Sequence, residues 1–122
     1  MIVALNFIFI LLSTSFAADI FLSEPFVADY LPINAKYKLF FWLFTSRNKY
    51  NNSPLVIFLN GVPGCSIQEV VLNENGTFKI NNDGTLAKNI YSFTNNSDVM
   101  YLDQPIGTGF SSCDDASRIP KD

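Results

Sequence analysis

The sequence predicts an α/β fold: an antiparallel first hairpin followed by mixed strands, in a sheet that the chain leaves incomplete. Three observations carry this reading. Leu55, Val56, Ile57, Phe58 and Leu59 form a short continuous apolar run with β-branched members, the pattern of a strand covered on both faces. Val99 to Leu102 is a second short, buried strand. Each run empties directly into a turn-rich loop, Asn60 to Gly64 and Asp103 to Gly109, and the ends of such strands are where open α/β folds place ligands. The 122 residues suffice for one small domain but not for a doubly covered sheet with all its helices.

Hydrophobic residues make up 48% of the chain and charged residues 16%, which excludes a disordered chain and implies a core. The net charge is −3, and the eight basic residues are scattered rather than clustered. Without a basic stripe or patch there is no footprint for nucleic acid, and DNA and RNA partners are excluded.

Taken in order, Met1 to Ala18 is an apolar run followed by small residues, with Ser15 and Ala17 placed for cleavage after Ala17. Residues 1–17 are thus expected to be a secretory signal peptide and 18–122 the remaining domain. The n-region lacks Lys and Arg, and an uncleaved anchor or a buried helix are the rival readings. The segment is shorter than the roughly 20 residues a spanning helix needs. Asp19 to Ala35, with Pro25 and Pro32 and no sustained period, reads as an extended arm. Lys36 to Thr45 is an aromatic-rich strand, and the polar turn Ser46 to Ser53 is expected to join it to the Leu55 strand as a hairpin. Ile67 to Leu72 allows one or two helical turns. Asn73 to Asn89 reads as turns around a short strand, Phe78 to Ile80. The segment ending at Asp122 reads as charged and structureless.

The chemistry centres on Pro54 to Ile67. Gly61, Pro63 and Gly64 dictate a tight turn whose amide N–H groups lack ladder partners and are open to a ligand oxygen. That is the raw material of an oxyanion hole. It is equally what a purely structural turn looks like. The chain contains no histidine, so no Ser-His-Asp triad can be assembled from it. No G-x-S-x-G elbow occurs either, since Ser66 in G-C-S-I-Q lacks the following glycine. Gly107-Thr108-Gly109 is followed by no Lys and no helix start, so neither a P-loop nor a dinucleotide fingerprint is supported.

The same residues carry a resemblance. N-G-V-P-G-C-S resembles the NGGPGCSS signature of the serine carboxypeptidases, which are α/β-hydrolases, with Val62 in place of the second glycine and Ile67 in place of the second serine. Tyr101 to Ser111, YLDQPIGTGFS, is similar to that family's YLDQPVGTGFS nearly letter for letter. Glu74 to Phe78 is similar to its E-x-GPF, and Phe40 to Asn48 to its FYWFFESRN. The resemblance implies the N-terminal portion of an α/β-hydrolase sheet and serine-type carboxypeptidase activity on peptide and protein C-termini, without a cofactor. It implies that the nucleophile, Asp and His all lie later than these residues, so no Ser or Asp here is catalytic.

By the same resemblance the Val62 backbone N–H, with Gly61, holds the oxyanion, although a β-branched residue would strain a turn that needs positive φ there. Asn60, Gly61 and Glu74 match positions that bind the substrate's carboxylate. A carboxylic acid can do so only by sharing a proton, which favours a raised pKa at Glu74 and acidic conditions. Without the resemblance, Asn60 would satisfy its own turn and Glu74 would be solvated. Glu69 lies where some members line the pocket for the last substrate residue, and an acid there would favour Lys or Arg. Asn82 to Leu86, NDGTL, and the QPIGTGF loop also look closer to the pheromone-processing branch of the family, which trims basic C-terminal residues.

Cys65 and Cys113 are the only cysteines, and a bridge between them is the simplest pairing in a secreted chain. The resemblance instead pairs Cys65 with a much later cysteine. Two cysteines without a histidine make no four-ligand zinc site, and metal binding is not expected. Sequons occur at Asn51, Asn75 and Asn95, against about two expected by chance in so Asn-rich a chain. The implied location is the secretory pathway: secreted, vacuolar or lysosomal, or Golgi, with membrane contact only through a C-terminal anchor outside this sequence. The rival expectation is a catalytically dead secreted fragment, at most a weak peptide C-terminus binder. For that reading the Leu55 and Val99 strands, left without neighbours, are a physical difficulty.

Overall fold

The computed structural model describes residues 21–49, 52–60 and 65–114. The expected signal peptide and the charged C-terminal stretch lie outside them. The main sheet has five strands: β1 (Phe26–Pro32), β2 (Tyr37–Phe44), β3 (Leu55–Leu59), β6 (Asp98–Leu102) and β7 (Ser112–Cys113). Their order is β1-β2-β6-β3, with β7 beside the start of β2. A helix, α1 (Ile67–Asn73), follows β3, and β4 (Phe78–Ile80) and β5 (Leu86–Lys88) form a separate antiparallel pair. A single 3-10 turn, Phe93–Asn95, leads into β6.

The α/β class and the mixed sheet are as the sequence predicts, but the hairpin has different members. β2 pairs antiparallel with β1, from Phe26 opposite Phe44 to Pro32 opposite Lys38, so the expected extended arm is a strand. Pro32 ends that edge strand, a position where the missing N–H breaks no interior ladder. The other edge of β2 is taken by β6, again antiparallel. β3 therefore never meets β2; it pairs in parallel with β6, Val56 opposite Val99 and Phe58 opposite Tyr101. The expected hairpin between β2 and β3 is thus corrected: the two strands are not adjacent, since β2 has no edge left for β3.

One face of the sheet carries the core. Trp42 and Phe44 of β2, Val99 and Tyr101 of β6, and the half-buried Val56 and Phe58 of β3 pack with Ile67, Val70 and Val71 of α1 and Phe78 of β4. Aromatic edges tile the contact, with Trp42 and Phe44 rings 5.0 Å apart and Phe44 and Phe78 rings 5.6 Å apart. Such pairs add to area burial by about 0.5–1.5 kcal/mol each. The alternate residues of β3 face away: Leu55, Ile57 and Leu59 are each more than half exposed. Coverage of β3 on both faces, expected from its unbroken apolar run, is thus corrected to one face among the described residues. The neighbours differ from expectation too: β6 has one on each side and β3 has one, so β3 is an edge strand at the end of the sheet opposite β1.

Among the described residues no helix is long and apolar enough to cross a membrane.

Candidate functional site

Two loops meet where β3 and β6, lying parallel, end side by side. β3 releases the chain at Asn60, and β6 releases it at Asp103. Gly61 and Val62 lie outside the described residues, and the structure shows the residues on either side of the expected turn. On the entry side, the Asn60 carboxamide donates from Nδ2 to the Cys65 carbonyl at 3.2 Å, spanning the turn. The Asn60 carbonyl in turn accepts from Gln104 Nε2 at 2.9 Å.

On the exit side stands Asp103, which is fully buried. Its Oδ1 accepts from the Ser66 hydroxyl at 2.9 Å and from the Ile67 backbone N–H at 2.7 Å. Its Oδ2 accepts from Gln68 Nε2 at 3.3 Å and from the Phe110 N–H at 3.0 Å. A buried carboxylate is tolerated only when its oxygens are satisfied in this way. Two of its four donors are backbone groups at the start of α1 and in the second loop, so the side chain ties those two segments together. Its carbonyl accepts from the Ser111 hydroxyl at 2.6 Å, and its N–H donates to Phe40. The second loop leaves through a cis Gln104-Pro105 peptide and turns at Gly107 and Gly109, both at positive φ.

Ser66 is occupied structurally. It N-caps α1, accepting from the Gln68 N–H while donating to Asp103. That commits its hydroxyl to helix initiation. Glu69 is exposed in the first turn of α1. Glu74 is exposed at the helix C-cap, its backbone N–H donating to the Val70 carbonyl. Seven residues of helix place Glu74 roughly 10 Å along the axis from the Ser66 end. The structure thus gathers Asn60, Cys65, Ser66, Asp103 and Gln104 at one end of α1 and sets Glu74 at the other.

The Glu74 segment is held from behind. Buried Asn89 donates to the carbonyls of Glu74 at 3.4 Å and Gly76 at 2.9 Å. Gly76 approaches α1 so closely that a Cβ would run into the Val71 backbone, which explains the glycine in E-N-G-T-F. Asn75, half-buried, has its side-chain oxygen buried without a partner. Asn95 donates to the Ile90 carbonyl at 2.6 Å and accepts from Arg47 at 2.9 Å. Asn51 lies outside the described residues. Cys65 and Cys113 are both half-buried. No group of three or more His, Cys, Asp or Glu among the described residues could hold a metal.

Sequence reasoning missed a second polar centre. Glu24, with a side chain 3% exposed, pairs with Arg47 Nε at 3.1 Å and Lys88 Nζ at 2.9 Å. Arg47 also donates to the carbonyls of Asn89 and Thr77 and to the Asn95 side chain, fastening three loops to the end of β2. The one available signal was the S-R-N that follows an aromatic strand. Nearby, burial pushes the Tyr101 phenol up to about 12; the Ser92 and Thr77 hydroxyls and Arg47 pull the other way without offsetting it. The phenol oxygen closes no hydrogen bond.

With these loops in place, the family comparison is decisive. The serine carboxypeptidase family profile matches residues 20–122, and the chain belongs to that family. The chain is 46% identical over 92 residues to serine carboxypeptidase-like 49 of Arabidopsis thaliana, spanning 75% of this chain and 18% of that protein. It is 45% identical over 80 residues to the pheromone-processing carboxypeptidase of Saccharomyces cerevisiae strain JAY291, spanning 64% of this chain and 11% of the relative. The crystal structure of a prohormone-processing carboxypeptidase from Saccharomyces cerevisiae superposes with a TM-score of 0.64 at 35% identity, over 80% of this chain and 23% of that one. The chain therefore spans less than a fifth of the length of these curated relatives.

Proposed function

We propose that these residues work within a serine-type carboxypeptidase that releases C-terminal residues from peptides and proteins, supplying part of its oxyanion hole and part of its carboxylate site. The observation that supports this most is the Asn60 carboxamide, held at the end of β3 and braced across the turn to Cys65 in a member of this family. In this reading Asn60 donates to the substrate's terminal carboxylate. Gly61 and the Val62 N–H line the turn, the latter donating to the oxygen that becomes negative in the tetrahedral intermediate. Glu74, at the far end of α1, is the further member of the carboxylate site in this reading.

The nucleophilic Ser, the Asp and the His come from outside these 122 residues, which contain no histidine. The chain by itself is expected to hydrolyse nothing. Glu69, exposed beside the turn, supplies a preference for C-terminal Lys or Arg. A leader cleaved after Ala17, with glycans at Asn51, Asn75 or Asn95 and a disulfide from Cys65 to a cysteine outside this sequence, places the protein in the secretory pathway.

The test is a chimera in which residues 21–114 replace the matching segment of the Saccharomyces cerevisiae enzyme. It should cleave C-terminal Lys peptides faster than C-terminal Leu peptides; equal rates would sink the role of Glu69. Asn60→Ala should cost about 10- to 100-fold in kcat/KM, the loss of one hydrogen bond to a charged group. A folded chimera with no carboxypeptidase activity would refute the proposal, as would hydrolysis by the 122-residue chain alone.

A further inference from the structure

We infer that Asp103 and Gln104 are positioning residues that fix the two sides of the β3 to α1 turn, so that the second signature segment serves to hold the first. The inference rests on the proposed function for what the turn does, but its mechanical content stands on geometry alone. Gln104 reaches the entry side, with Nε2 2.9 Å from the Asn60 carbonyl. Asp103, its chain neighbour, grips the exit side through Ser66, the Ile67 N–H and Gln68. Asn60 closes the figure through the Cys65 carbonyl. Two adjacent residues at the end of β6 thus reach both sides of a turn whose own strand, β3, is the next one in the sheet.

The rest of the second loop supports this arrangement. Phe110 donates its N–H to Asp103 Oδ2, which turns the loop back onto the carboxylate it started from. Gly109 sits at φ +55, where a Cβ would strike that carboxylate, so the loop closes this tightly only with glycine there. Ser111 bridges the Asp103 carbonyl and the Phe40 N–H, anchoring the support to β2. A carboxylate with four donors cannot rotate to follow a moving turn without abandoning buried partners. Orientation of a substrate-binding amide to within a fraction of an ångström is what such bracing supplies.

The test has two arms. In the full 122-residue chain, Gln104→Met keeps the side-chain length and removes the donor. Amide hydrogen exchange across residues 60–67 should quicken at least tenfold, while Trp42 and Val99 in the sheet stay within twofold of the parent. Unchanged exchange at the turn, or an equal rise through the sheet, overturns the inference. Asp103→Asn turns one acceptor into a donor facing Gln68 or Phe110 and should do the same more strongly; if that variant does not fold, Gln104→Met decides.

In the chimera described above, the ratio of kcat/KM for peptides with a free C-terminal carboxylate to that for C-terminally amidated ones should fall about tenfold in Gln104→Met. It should recover in Gln104→Lys, which restores a donor. Ser92→Ala, which removes a cap from the distant 3-10 turn, should lower the melting temperature and leave the ratio unchanged. A ratio that follows melting temperature in all variants overturns the positioning role. An inactive parent chimera refutes the proposed function instead, and the exchange arm still decides the bracing.

Discussion

Replacing Arg47 with methionine should be among the most damaging single changes in the described part of the chain. The guanidinium makes contacts at 2.7 to 3.2 Å with Glu24, Asn89, Asn95 and Thr77, and its side chain is only 20% exposed. Methionine fills a similar volume and donates nothing. Glu24, 3% exposed, is then left with Lys88 alone, whose side chain is half in water and holds the carboxylate at one oxygen. Two backbone carbonyls lose one donor as well, though Thr77 keeps the Asn89 N–H at 3.0 Å and Asn89 keeps the Ser92 N–H at 3.3 Å. Stranding one member of a buried ion pair costs about 3–5 kcal/mol, and each further lost hydrogen bond adds at most about 0.5–1.5 kcal/mol.

The lower figure applies because Arg47 is partly wet, so the expected loss is about 3–5 kcal/mol. With a urea slope of about 1.5 kcal/mol per molar, the midpoint should fall by roughly 2–3 M. The decisive measurement is a double-mutant cycle with Glu24→Gln, which removes the stranded charge and should recover about 1–2 kcal/mol of the loss. A single-variant loss below 1 kcal/mol, or simple additivity with Glu24→Gln, would refute the view that the buried carboxylate sets the cost.

Tyr101 and Gly109 give two further expectations. The Tyr101 pKa is raised by burial to about 12 in the folded protein against 10.0 when free, so the unfolded chain loses its proton first and stability falls as pH climbs from about 10 to 12. The decline attributable to this group is about 2–3 kcal/mol; Tyr101→Phe should flatten it while costing little at neutral pH, because the hydroxyl has no partner. An alkaline melt equally steep in the phenylalanine variant would assign the decline to other groups. Gly109→Ala should destabilise by about 2–3 kcal/mol, combining a left-handed backbone with a methyl pressed on the Asp103 carboxylate; a thermal melt within a degree of the parent would show that the loop relaxes freely.

Residues whose neighbours are local were legible in the sequence. β2, β3, β4 and β6 show as apolar runs, and α1 shows as the short stretch after Ser66, because strand and helix periods are written in consecutive residues. Pairing is not written that way. The polar stretch after Phe44 looks like a hairpin turn, yet which edge β3 joins depends on β1 and β6 already occupying both edges of β2. β1 was hidden by Pro25 and Pro32, whose breaking effect matters little at the two ends of an edge strand. At the candidate site the turn itself announced Asn60 through its glycines and proline. The support from Asp103 did not, because its partners are backbone groups 36 and 7 positions away. Arg47 was silent for the same reason: its acceptors are carbonyls and amides brought together by three separate loops.

The bare side of β3 sets a practical rule for anyone handling this polypeptide by itself. Leu55, Ile57 and Leu59 alternate with the inward Val56 and Phe58 and touch none of the packed interior. A row of greasy side chains on the last strand of a sheet invites a second molecule to lie down beside it. Threonine at these three places keeps strand propensity and leaves the aromatic interior as it was. Solubility can be painted onto this face without redrawing the fold beneath it.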